Sequence, residues 1–251
     1  MTAPAGASAP SRIAVLASGG GSNLQALLDH FAGAGAAQGS IVWVGSDKAT
    51  AGALPRAAGA GIATAVVTDP HDGGALIAML DAARADLLVL AGYLKLIPEP
   101  VVHAFHGRLV NVHPALLPAF GGPGMYGRHI HAAVLAHGAT VTGVTVHFVD
   151  AQYDRGPIIA QWPVPVLPGD TPELLAARVL RVEHQLFPLC VGAVAAGAIV
   201  LGHDGRVHGH LDVAVSPASP AWRFGLVTDA HAGPPYDGTA FAQDAARLFP
   251  R

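Results

Sequence analysis

Asn111 and His113 stand two residues apart in Leu-Val-Asn-Val-His-Pro-Ala-Leu-Leu-Pro, residues 109–118. An amide that can donate to a developing oxyanion, beside an imidazole that can carry a proton, suits acyl-group chemistry. Residues 109–112 read as a short buried strand, and Pro114 and Pro118 stop either strand or helix from continuing. Side chains two apart on a strand share one face, so both leave the strand's carboxyl end together. The same pair could also satisfy backbone groups in a turn, and other stretches must decide.

The first is Ser18-Gly19-Gly20-Gly21-Ser22-Asn23, placed between the apolar run 13–17 and Leu24, Leu27, Leu28 and Phe31 at helical spacing. Strand, glycine turn and helix open a parallel α/β unit. The glycines allow close backbone approach, and N–H groups at the helix start, with the Ser22 hydroxyl, suit a phosphate. It is neither a dinucleotide fingerprint, since Leu24 stands where a third glycine is required, nor a P-loop, since Gly-Lys-Ser/Thr is absent.

The elements that must position these residues follow in order. Residues 41–44, 62–67 and 86–91 read as further strands, separated by an alanine-rich helix ending at Gly59 or Gly61 and a helix over about 74–84. Such alternation predicts a doubly wound, mainly parallel sheet, whose ligands sit at the strands' carboxyl ends. That aligns the glycine loop, the loop 92–97 and the Asn111/His113 loop. A helix near 129–137, a strand over 141–149 and a proline-bearing edge strand over 157–166 come next. Thr171-Pro172-Glu173 opens a helix to about His184, and a second helix spans 187–196.

Composition bounds the partners. The 251 residues are 51% apolar and 12% charged with a net charge near −3, which supplies no general basic field for nucleic acid. Cys190, the single cysteine, lies among apolar neighbours and reads as a core thiol. No long uncharged apolar run or signal-like leader is present, so no membrane partner and a cytoplasmic location are expected. No metal is assigned to His203, His208 and His210, which lie in a stretch punctuated by Gly, Pro and Asp.

Together with Asn-Val-His-Pro-Ala-Leu-Leu-Pro, the loop 18–23, Asp150-Ala151-Gln152-Tyr153-Asp154-Arg155-Gly156-Pro157 and Glu183-His184 give a chain that resembles the folate-dependent phosphoribosylglycinamide formyltransferases. The resemblance runs from about residue 12 to 201. It implies a Rossmann-like formyltransferase domain over 12–201, while the small, uncharged residues 1–11 read as a disordered arm and the Gly, Pro, His and Asp among short apolar pieces over 202–251 as an extended tail packed on the domain. It further implies small-molecule substrates, 10-formyltetrahydrofolate as co-substrate and 5-phosphoribosylglycinamide as acceptor, without a metal, and leaves a homodimer open. By the same resemblance Asn111 and a protonated His113 stabilise the tetrahedral intermediate. Asp154 raises the His113 pKa and organises a proton-relaying water. Gly21, Ser22, Asn23 and Glu183 bind the acceptor. Leu94, Lys95, Leu96 and Ile97, with Asn111, meet the folate, and His147 stands behind the reacting groups.

The chain departs from the family where Leu180 replaces a usual Lys or Gln, with Arg181 as the neighbouring substitute. A folate-rim Arg has no counterpart in 68–74, and the segment 121–128 is long enough to form a flap over the substrate. A deformylase would want a domain ahead of the first strand. A transferase acting on methionyl-tRNA would want a basic C-terminal barrel, a sugar-amine formyltransferase would lack the loop 18–23, and a binding module would need no proton carrier.

Overall fold

In the computed structural model, which describes residues 9–209 and 211, the apolar runs form strands covered on both faces. Five lie parallel: β1 (Ser11–Leu16), β2 (Gly39–Ser46), β3 (Ala63–Val66), β4 (Leu87–Leu90) and β5 (Leu109–His113). Then β6 (Val141–Phe148) and β7 (Ile158–Pro165) run antiparallel, giving the order β3-β2-β1-β4-β5-β6-β7. Pro163 and Pro165 sit on the edge strand β7, where missing N–H groups cost least. The order reverses between β1 and β4, so the loops leaving β1, β4 and β5 open on one crevice.

Two cores confirm the double winding. Against one face pack α1 (Ser22–Ala32), α2 (Ala53–Gly59), α5 (Arg128–Ala136) and α6 (Pro172–Ala195), through Leu24, Ala57, Ile130 and Phe187. Against the other pack α3 (Gly73–Ala82) and the short α4 (Glu99–Ala104), through Leu80 and Val101. Cys190 is fully buried in the first core, and burial pushes its thiol far above the usual range.

Three expectations need correction. Residues 172–195 form one helix, not two, with Pro188 inside it. An interior proline costs about 3 kcal/mol, but the apolar stripe of Leu175, Val179, Leu186, Phe187 and Val191 runs past it and is buried along its length. Ser11 belongs to β1 rather than to an arm. It pairs with Gly39, and its Oγ donates to Ala195 O at 2.7 Å. The start of the tail is a hairpin, β8 (Ile199–Leu201) with β9 (Val207–Gly209), whose Val207 enters the main core. The rest of the tail and most of the arm, with His210, lie outside the described residues.

Candidate active site

Strand β5 ends with Asn111 and His113 on one face, and the antiparallel register sets His147 opposite Asn111 and Thr145 opposite His113. His113 and His147 are buried, while Asn111 keeps partial access to the cleft. Carbonyl oxygens only accept, so His147 Nδ1, 2.7 Å from Phe148 O, carries a hydrogen. Its Nε2 then accepts from Asn111 Nδ2 at 3.0 Å, which orients the amide and leaves its second N–H for a ligand. By the same reasoning His113 Nε2 donates to Phe120 O at 2.8 Å, so its Nδ1 faces Asp154 Oδ2 at 3.5 Å.

Asp154 reaches that position because the loop after β6 returns over the sheet, with Asp154 itself at φ 56, a conformation side-chain-bearing residues seldom adopt. Its Oδ1 lies 3.7 Å from His147 Nε2, and Oδ2 accepts from Gly122 N at 2.9 Å. Two glycines permit the fit. A Cβ on Gly121 would stand 2.5 Å from the Leu117 side chain and 3.2 Å from Asp154 Cβ, and one on Gly156 would stand 1.9 Å from Phe148 O.

Burial pushes the His113 pKa down by more than the Asp154 carboxylate and the Phe120 carbonyl pull it up, and His147 acts with burial. For Asp154 burial acts upward, but the neighbouring His147 and His113 rings and the Gly122 N–H together hold it below the ordinary carboxylate range. Both shifts favour a neutral imidazole beside an ionised carboxylate. Asp154 acts in the expected direction, and desolvation exceeds it.

A cavity of about 810 Å³ extends from this cluster. Leu94, Lys95, Leu96 and Ile97 line one side, and the flap over 122–128 covers part of it. The Leu94 N–H is not open to a ligand, since it donates to Ser18 Oγ at 3.0 Å. Arg128 of the flap hydrogen-bonds Glu173 at the start of α6. Farther along lie Gly19, Asn23, Leu180 and Glu183, with Asn23 Nδ2 donating to Glu183 Oε2 at 2.7 Å. Arg181 is exposed and outside this lining, since a helix turns about 100° per residue. Gly21 and Ser22 also lie outside it. At φ 76 Gly21 packs on α2, where a Cβ would stand 2.8 Å from Ala53 Cα, and Ser22 gives its helix no side-chain cap.

His131 escaped the sequence reading. It lines the cavity from α5, is 4% exposed, and has no hydrogen-bond partner at Nδ1. Burial and His113 both push its pKa down. The signal was its place beside Ile130 and Val134, which mark the buried face of α5. Tyr93 was missed too, its hydroxyl pushed up to about 12 by burial and by Asp47 and Tyr153.

Residues 11–191 match the family model described as Formyl transferase. The chain is 43% identical over 201 residues to the phosphoribosylglycinamide formyltransferase of Mycobacterium tuberculosis, covering 78% of this chain and 90% of that one. The chain belongs to the formyl transferase family. This formyltransferase is also 43% identical to the chloroplastic phosphoribosylglycinamide formyltransferase of Arabidopsis thaliana, over 77% of this chain and 68% of the plant protein. The crystal structure of glycinamide ribonucleotide transformylase 1 from Symbiobacterium toebii superposes with a TM-score of 0.72 at 42% identity. That match covers 79% of this chain and 93% of that one.

In the formyltransferase Glu183 carries a cost. Burial pushes its pKa up, and the Asn23 hydrogen bond only partly opposes this. A folded pKa above the unfolded one means that stability falls as pH rises from about the unfolded value through the folded one. Glu183→Gln keeps an acceptor for Asn23 and removes the charge. Thermal melts at neutral pH should show a higher Tm, by about 2–4 °C for each kcal/mol relieved. An unchanged or lower Tm would mean that the ionised carboxylate is adequately solvated.

Proposed function

We infer that this formyltransferase moves the formyl group of 10-formyltetrahydrofolate to the glycine amine of 5-phosphoribosylglycinamide. The observation that carries the reading is the His113 imidazole facing the Asp154 carboxylate, beside an oriented Asn111 amide, in a cavity large enough for two substrates. The amine attacks the formyl carbon and forms the new C–N bond. The carbonyl oxygen becomes an oxyanion, to which Asn111 donates its spare N–H. His113 Nδ1 takes the amine proton, the resulting imidazolium is held by Asp154, and the proton passes through water to the folate nitrogen as its C–N bond breaks. Folate lies along residues 94–97. The acceptor meets Asn23 and Glu183, with its phosphate at the N–H groups of residues 21–23, where α1 begins.

Rapid assay of formyl loss from 10-formyltetrahydrofolate, with phosphoribosylglycinamide and water compared as acceptors, tests this directly. Transfer to the amine should exceed formate release by at least about a hundredfold, as expected of a site built to align one nucleophile. Comparable formate release would make the protein a deformylase.

A further inference from the structure

The glycine loop ahead of α1 has its carbonyls taken up one after another by neighbouring groups. Ala53 N, the first residue of α2, donates to Gly19 O at 3.2 Å. Arg56 Nε, one turn on, donates to Gly20 O at 2.7 Å, and its Nη1 donates to Gln25 Oε1 at 3.3 Å. Gln25 N in turn donates to Gly21 O at 2.9 Å. In a trans peptide the N–H points opposite to the C=O. Carbonyls of Gly19 and Gly20 fastened to α2 therefore turn the N–H groups of Gly20 and Gly21 away from α2. The first N–H groups of α1 lack partners inside the helix and join them. The seat is tight, since a Cβ on Gly52 would stand 3.2 Å from Gly20 Cα and from Gly20 O. Arg56 itself is exposed and does not line the cavity.

We propose that Arg56 is a positioning residue for the acceptor's phosphate. Its guanidinium holds the Gly20 carbonyl outward, so that the Gly20–Gly21 peptide presents its N–H to the anion. The guanidinium also braces Gln25 in the first turn of α1, so loop and helix start are set by one side chain. This rests on the reading of residues 21–23 as the phosphate loop.

The test compares wild type, Arg56→Ala and Arg56→Lys with phosphoribosylglycinamide and with the same glycinamide riboside lacking phosphate, at saturating formyl donor. Arg56→Ala should raise KM for the phosphorylated acceptor about tenfold, with kcat within about twofold and the folate KM unchanged. Its kcat/KM for the riboside should match wild type, and Arg56→Lys, which keeps one donor, should recover part of the loss. If wild type prefers the phosphorylated acceptor and Arg56→Ala keeps that preference, or loses equally on both substrates, Arg56 does not position the loop. If wild type treats the two acceptors alike, the phosphate loop itself is misassigned and the role of Arg56 falls with it.

Discussion

Replacing His113 by alanine should lower kcat by about two to four orders of magnitude while the affinity for the formyl donor stays within a few fold. The imidazole has its Nδ1 lone pair toward the carboxylate and its other ring nitrogen, Nε2, already committed to Phe120 O. Without it the ammonium formed by attack loses the imidazole that takes its proton, and the leaving nitrogen loses the source of the relayed proton. Because His113 is 3% exposed and anchors Phe120, its removal also leaves the half-buried Phe120 carbonyl without its donor, a loss of about 1 kcal/mol. His113→Asn, which retains a side-chain N–H, is the companion variant that separates lost chemistry from lost stability. Single-turnover kinetics with preloaded folate, alongside a direct folate titration, measure the effect. A wild-type chemical step in either variant would remove His113 from the mechanism.

Asp154→Asn should cut kcat by about a hundredfold and move the acid limb of the kcat/KM profile toward lower pH. The sign follows from the environment. Burial holds the His113 pKa below its ordinary value, and Asp154 is the largest influence opposing it. Replacing the carboxylate by an amide removes the upward pull, so the imidazole stays neutral, and able to accept a proton, further into acid. The same change destabilises the imidazolium formed during turnover, which is why the rate drops while the limb shifts. The amide keeps an oxygen for Gly122 N–H, so the loop retains that anchor. A limb that stays in place or moves upward would show that Asp154 does not act through the charge of His113.

Much of this was legible from residue order. The alternation of short apolar runs with helical spacing located the five parallel strands, because a strand covered on both faces needs little besides β-branched and aliphatic residues. The pairing of Asn111 with His113 followed from strand geometry alone. The helix α4 went unread because six residues are too few for a period to show. The continuity of α6 was hidden by Pro188, whose local penalty is outweighed by burial that only tertiary packing supplies. The downward pull on His113 was hidden for a related reason. A neighbouring carboxylate can be inferred from a motif, whereas the depth at which both groups are buried cannot. Arg56 and Ser18 likewise act on backbone atoms of other loops, and such contacts leave no mark in the local sequence.

The two side-chain-free positions flanking Asp154 bear on anyone who would retool the enzyme for a different amine. Variation invested in the flap can be spent between residues 122 and 128, where the glycines at 122, 124 and 127 have open space around them, though their positive φ values still penalise other residues. At 156 even a methyl group would meet the Phe148 carbonyl at 1.9 Å, and at 121 it would press on the Leu117 side chain and on Asp154 Cβ, so randomising these two positions disturbs the seat of the carboxylate itself.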